Sequence, residues 1–327
     1  MDAGAFGFST GLIYPPGTYS KTGELVELAK HLRPGSIYAS HMRGEGPTLL
    51  DAVSEALTIG EQSKRRVMIS HHKATGKSNW GKTAQTLEMI HDARRRGVDV
   101  YQDVYPYIAA STYLSTLIPP EFHAGGRDAA LARLADANEL ARLKERLATQ
   151  GDGFDNRLLA ACYYHVLIAS TASGAFEGKT IPEIATELGK SEFDTLIHIL
   201  VSERLTPTMI IFLMDEDDVK RVMRDERTAI GSDSLAPGGG GKPHPRMFGT
   251  FPRVLGHYSR ELGVLPLETA VYKMTGLPAE IFGLDELGVI APGKRADLVA
   301  FDAKTVADDL DYRDPIRKPK GIAWVMQ

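Results

Sequence analysis

Apolar positions alternate between two rhythms over the first third of the chain. Short, nearly all-apolar runs at residues 5–12, 36–40, 66–70 and 98–104 have the length of buried strands. Between them, apolar side chains recur three and four apart, the spacing of amphipathic helices, at residues 22–32, 47–60 and 81–96. Leu25, Leu28, Ala29 and Leu32 make the first stripe, Leu49, Leu50, Val53, Ala56 and Leu57 the second, and Leu87, Ile90 and Ala93 the third. Pro34-Gly35 breaks the first helix, Pro47 opens the second and Gly60 is its expected stop. Arg94, Arg95 and Arg96 fall on the last turn of the third, where cations face the helix C-terminus and solvent. His41 and His71 each end a strand run, 30 residues apart, and Asp103 follows after another 32. A βαβ unit takes about 30 residues. The pattern predicts an α/β fold with parallel strands buried on both faces and polar residues gathered at their C-terminal ends, where a (β/α)8 barrel builds its site.

The rhythm is lost between residues 108 and 227. One amphipathic helix is expected over 130–149, strands over 166–170 and 209–214, helices over 181–188 and 193–204, and a helix over 215–223 capped by Asp215. This stretch reads as a large insertion between barrel strands, with Cys162 as a packing residue inside it. Residues 228–233 form another short strand ending in Asp233, followed by a flexible glycine loop at 238–241. Helices are expected over 252–262, 266–274 and 278–282. Residues 287–290, 296–302 and 321–326 are β-like, with a turn at Pro292-Gly293-Lys294.

The 327 residues carry a net charge of -4, which gives no electrostatic reason to bind nucleic acid or an anionic membrane. A single cysteine excludes an internal disulfide framework and a Cys-only zinc site. No apolar run reaches the roughly 18 to 20 residues that span a bilayer, and residues 1–7 lack a signal-peptide pattern. The expected address is cytoplasmic.

Neighbouring parallel strands lie about 4.8 Å apart, so His41 and His71 could reach one metal. A catalytic zinc keeps three protein ligands and an open position, which leaves two histidines one ligand short. Asp233, at a later strand end, suits a general base. Lys73, Arg246 and Arg43 are cations near the same rim that would suit a substrate carboxylate. His72 starts on the opposite face of its strand and reads as structural. His244, in a Pro-rich loop, could be either. His31, His91, His123, His165, His198 and His257 read as surface or packing residues. There is no Gly-x-Ser-x-Gly elbow and no phosphate-binding loop.

These residues make the chain resemble the N-acyl-D-amino-acid deacylase (D-aminoacylase) family of the amidohydrolase superfamily. The likeness is carried by Gly4 to Leu12, Ser40-His41-Met42-Arg43, Ile69-Ser70-His71-His72-Lys73, Tyr105-Pro106-Tyr107, Gly231-Ser232-Asp233, His244-Pro245-Arg246, the run from Gly249 to Gly256, and Pro292 to Val299. The resemblance implies a metal-dependent hydrolase TIM-barrel, incomplete, holding barrel strands 4 to 8 with a large insertion or lid and part of a small β-domain. Residues 1–107 would carry βα units 4 to 7, 108–227 the insertion and return, 228–284 strand 8 and the following helices, and 285–327 the β-domain segment. It implies that His41 and His71 ligate zinc, that Asp233 is the acid/base, and that Lys73, Tyr105 and Arg246 hold the substrate carboxylate. The implied reaction is hydrolysis of an N-acyl-D-amino acid. The family's strand 1 His-x-His and its zinc-ligating cysteine have no match, so the chain is expected to be a fragment, weak or inactive alone. A complementary N-terminal fragment is its expected partner, and strands 4 and 8 would be open edges with apolar faces exposed. The competing expectations are a cyclic-amide hydrolase of the hydantoinase or dihydroorotase kind, and a non-catalytic remnant serving as an assembly subunit.

Overall fold

The computed structural model describes residues 4–151, 153–234 and 241–327. Three βα units and a fourth strand run in order: β1 (Gly7–Gly11), α1 (Thr22–Lys30), β2 (Ile37–His41), α2 (Leu49–Ser63), β3 (Arg66–Ile69), α3 (Thr83–Arg95) and β4 (Val100–Val104). The next segment builds a separate antiparallel unit. It contains β5 (Ala109–Tyr113), α4 (Arg127–Ala135), α5 (Ala137–Leu147), α6 (Arg157–Ala161), β6 (Val166–Ser170), α7 (Ile181–Leu188), α8 (Glu192–Ser202) and β7 (Thr208–Phe212). The chain then returns through α9 (Glu216–Arg224) to β8 (Thr228–Ile230). It continues with α10 (Arg246–Arg253), a π-helical stretch Val254–Glu261, α11 (Leu267–Met274) and α12 (Gly276–Phe282), and closes with β9 (Leu298–Phe301) and β10 (Ile322–Met326).

All five strands of the main sheet are parallel, in the order β1-β2-β3-β4-β8. The register sets Ser40 beside Ile69 and Ile69 beside Gln102, so the C-terminal ends come out level. The outer face packs on α1 to α3 through Leu25, Val53, Leu57, Val67, Ile90 and Val100. Each such side chain stabilises the fold by about 1.5–3 kcal/mol when fully buried. The inner face is covered as well: Ile37, Met68, Tyr101 and Ala229 pack on Leu277 and Ile281 of α12. The expected exposure of that apolar face is therefore corrected for β2, β3, β4 and β8, which a helix from the far end of the chain covers, whereas no residue of β1 is buried. Arg66 fixes α12 there by donating to the carbonyls of Glu280 and Ile281.

The antiparallel unit has strand order β5-β7-β6 and its own core, with Leu114, Phe122, Leu143, Leu196 and Met209 almost fully enclosed. β9 and β10 form a two-stranded antiparallel ribbon.

Other expectations change for identifiable reasons. Gly60 does not stop α2 but sits inside it, where a Cβ would run into Val67 Cγ2, so the glycine lets the helix lie against β3. The helix ends instead at Lys64, in the left-handed region with φ 56°. The helix expected over 130–149 is two, because Asp136 leaves helical geometry and its carboxylate caps α5 by accepting from Asn138 N and Glu139 N. Arg94 does not face solvent: it pairs with Asp225 at 3.0 Å. Cys162 is exposed, not packed. Pro252 lies within α10 and does not begin a helix. Residues 287–290 form no strand, and Val289 and Ile290 are exposed. Residues 238–240 of the expected glycine loop fall outside the described residues.

Candidate metal centre and active site

The level strand ends gather the candidate side chains on one rim. His41 is the last residue of β2, and His71 lies two residues beyond β3. Their rings stand edge to face with centroids 4.4 Å apart. Glu45, in the loop between β2 and α2, completes the group: His41, Glu45 and His71 each offer one ligand atom, all within 4.8 Å of one another. Glu45 Oε1 is 3.2 Å from His71 Nδ1 and 4.0 Å from His41 Nε2. His41 Nε2 is buried without a hydrogen-bond partner. Burial, then the nearby charge of His71 and Lys73, holds the His41 imidazole well below its ordinary pKa, which keeps the ring neutral and its lone pair free. Burial pushes the Glu45 carboxyl up, but Lys73, His41 and His71 outweigh it and hold Glu45 ionised.

Sequence reasoning missed Glu45. The signal was present: a carboxylate four residues after the first strand-end histidine, in a βα loop.

Lys73 sits within this cluster, its Nζ 2.5 Å from Glu45 Oε1 and 2.6 Å from His71 Nδ1. It also lies over the Tyr105 ring at 5.4 Å from the centroid. The Arg246 guanidinium lies over the same ring at 4.7 Å, and it pairs with Asp233 Oδ2 at 2.8 Å. Both cations thus approach the Tyr105 ring, Lys73 as part of the histidine cluster and Arg246 with its partner Asp233. The Tyr105 hydroxyl is buried and donates to Met214 Sδ at 3.6 Å. Asp233, three residues beyond β8, keeps its side chain 35% exposed. Arg43 stays near this rim and lines the cleft beside the cluster, but its guanidinium is engaged: it pairs with Glu55 and donates to the carbonyls of Thr18 and Ser20.

Two other histidines are structural. His72 is buried, its Nδ1 facing Gln102 Oε1 at 2.5 Å and its Nε2 facing Thr86 Oγ1 at 2.8 Å. His244, left open by the sequence, accepts from Arg246 N at Nδ1 and meets the Ala109 carbonyl at Nε2. Burial and then Arg246 depress its pKa well below the ordinary value.

A cleft of about 620 Å³ opens beside the cluster. Tyr14 and Arg157 line it. The Tyr14 ring is 5.2 Å from that of His41, and Arg157 Nη2 is 3.7 Å from Glu45 Oε2.

D-aminoacylase from Alcaligenes xylosoxydans xylosoxydans is 39% identical over 323 residues, covering 98% of this chain and 57% of that protein. The fold superposes on a crystal structure of D-aminoacylase with a TM-score of 0.76 at 40% identity, covering 99% of this chain and 59% of the other. It also superposes on N-acyl-D-glutamate deacylase from Bordetella bronchiseptica, solved with zinc and a phosphonate mimic of the tetrahedral intermediate. There the TM-score is 0.80 at 35% identity, with 99% and 58% covered. The chain therefore spans a little under three fifths of the length of these relatives. Among the described residues no helix is long and apolar enough to cross a membrane. Residues 59–323 match the amidohydrolase family, and the chain belongs to it.

Proposed function

We propose that this chain carries the second part of a zinc-dependent active site that hydrolyses the amide bond of N-acyl-D-amino acids. The observation that carries the proposal is the buried cluster of His41, Glu45 and His71, with His41 Nε2 left without a partner. Two imidazoles and one carboxylate are a donor set suited to catalytic zinc. His41, Glu45 and His71 would hold the ion, and zinc so bound polarises the scissile carbonyl and acidifies a water.

The chain's own residues do the rest. Asp233 takes a proton from the attacking water and returns it to the leaving nitrogen, and the Arg246 ion pair aims its carboxylate. Lys73 has three donors, two of them directed at Glu45 and His71. The third, together with Arg246 beside the same Tyr105 ring, receives the carboxylate of the acidic substrate. The cleft beside Tyr14 has the volume of a small-molecule site.

The fold is read accordingly. The five parallel strands correspond to barrel strands 4 to 8, residues 108–227 to a large insertion or lid, and residues 285–327 to part of a small β-domain. β1 and β8 are the sheet's two edges, and a segment pairing with them would close the barrel. Activity is expected to be weak or absent without such an N-terminal segment.

The test is zinc content and release of free D-amino acid from N-acetyl-D-amino acids, with and without an added N-terminal segment and with L-enantiomers as controls. Asp233→Ala should lower turnover by about 10²–10⁴-fold and retain zinc, whereas His41→Ala and His71→Ala should lose it. A chain that takes up no zinc and stays inert in both preparations would refute the reading.

A further inference from the structure

Glu45 reaches the histidines only if the loop between β2 and α2 holds its shape, and what holds it is a residue 110 positions away. Asp155, in the antiparallel unit, is 5% exposed and turns its carboxylate into that loop. Oδ2 accepts from the backbone N–H groups of Glu45 and Gly46, both at 2.7 Å. Oδ1 accepts from Thr48 N at 3.3 Å and from Thr48 Oγ1 at 3.0 Å. Thr48 is the N-cap of α2 but makes no side-chain cap to its own helix. Asp155 therefore serves as a cap supplied from another part of the chain, with its charge at the positive end of α2. Gly46 leaves room for the approach, since a Cβ there would stand 3.2 Å from Asp155 Cγ.

Asp155 is itself held rigidly. Its neighbour Asn156 is buried, donates to the carbonyls of Leu147 and Thr149 at the end of α5, and caps α6 by accepting from Leu159 N. The residue after that, Arg157, places Nη2 3.7 Å from Glu45 Oε2. Three consecutive buried polar residues thus fix the loop backbone, fix the antiparallel unit, and face the second oxygen of the Glu45 carboxylate.

We infer that Asp155 is a positioning residue for the metal centre: through the loop backbone it sets Glu45 against His41, His71 and Lys73. The inference rests on the zinc-dependent reading above, and its test separates the two. In Asp155→Asn one acceptor oxygen is replaced by a donor facing N–H groups, so the loop amides cannot all be satisfied. Hydrogen exchange of the Glu45, Gly46 and Thr48 amides should quicken about tenfold or more, while the α5 amides stay protected as in the unaltered chain. Zinc affinity, measured by chelator competition, should weaken about 10–100-fold, the usual effect of losing a residue that orients a ligand. Asp155→Asn combined with Glu45→Gln should bind zinc no more weakly than Glu45→Gln alone. Thr48→Ala, a milder change that removes one of the four hydrogen bonds, should move the exchange rates the same way by less.

Loop amides that exchange at the unaltered rate in Asp155→Asn would overturn the clamp. Faster exchange with unchanged zinc affinity, or additive losses in the double variant, would overturn its link to the metal. An unaltered chain that binds no zinc would instead defeat the functional reading, and the link to the metal with it, while the exchange measurement still decides the clamp.

Discussion

Acid should weaken this protein through His72, by an amount that the structure sets. The imidazole lies at 1% exposure between Gln102 and Thr86, and burial lowers its pKa from 6.5 to about 4. The unfolded chain takes up the proton near 6.5, whereas the folded chain resists until near 4. Between those values the unfolded state binds more protons, so the stabilisation is complete above pH 6.5 and is lost as pH falls toward 4. At about 1.36 kcal/mol for each pKa step, His72 contributes roughly 3 kcal/mol across the window and roughly 2 kcal/mol between pH 7 and pH 5. His41 and His244 act in the same direction, so the raw pH profile does not isolate His72. The comparison that does is His72→Asn, which keeps a donor for Gln102 and cannot titrate. Urea unfolding at pH 7 and pH 5 should show the stability gap between the two proteins narrowing by about 2 kcal/mol. A gap that stays constant over this range would refute burial of a neutral His72 as the source.

Two local features give smaller, separate predictions. Gly60→Ala forces a methyl against Val67 and Val98 and should cost about 1–3 kcal/mol by overpacking, measured as a lower urea midpoint with an unchanged slope; full stability would mean that α2 can lift off β3 freely. Asp136→Ala removes the acceptor for Asn138 N and Glu139 N and should cost about 1 kcal/mol. That loss should appear as faster amide exchange at the start of α5, and unchanged exchange there would deny the cap its role.

The parallel sheet was legible because its strands are buried on both faces. Ile37, Val67, Ile69 and Val100 must be apolar whatever surrounds them, and their repeat at the length of a βαβ unit then fixes where His41 and His71 emerge. Strand β5 was not legible. Its residues are Ala-Ala-Ser-Thr-Tyr, with neither alternation nor a run of β-branched side chains, and it becomes a strand by pairing with β7, about 100 residues on. At Asp136 the stripe changes face: on one continuous helix Leu131 and Leu134 would lie opposite Leu140, Leu143 and Leu147, so the spacing itself breaks there and the capping geometry marks the place. Glu45 and Asp155 escaped because each gains its meaning from a partner distant in sequence. Lys73 lies 28 residues from Glu45, and the loop amides lie 107 to 110 residues from Asp155.

The backbone is left-handed at two residues of the candidate site, His71 and Asp233. Among the described residues, seven that are not glycine have positive φ, and His71 at 41° and Asp233 at 48° are two of them. Such a conformation costs about 1–3 kcal/mol and persists only where surrounding contacts enforce it. At His71 the enforcing contact is Asp103, whose Oδ1 accepts the His71 N–H at 2.7 Å while its own carbonyl accepts from His72 N. Burial raises the Asp103 pKa, opposed by the charge of His71 and by this hydrogen bond; it is the Oδ1 contact that pins the turn. At Asp233 the contact is Arg246, which arrives from α10. A relaxed extended backbone would carry each chain onward along its strand. The left-handed turn redirects it at the residue that bears the imidazole or the carboxylate. Two strands on either side of β4 thus bear a local cost just beyond their C-terminal ends, and in the proposed reaction that cost serves to orient both groups toward the substrate.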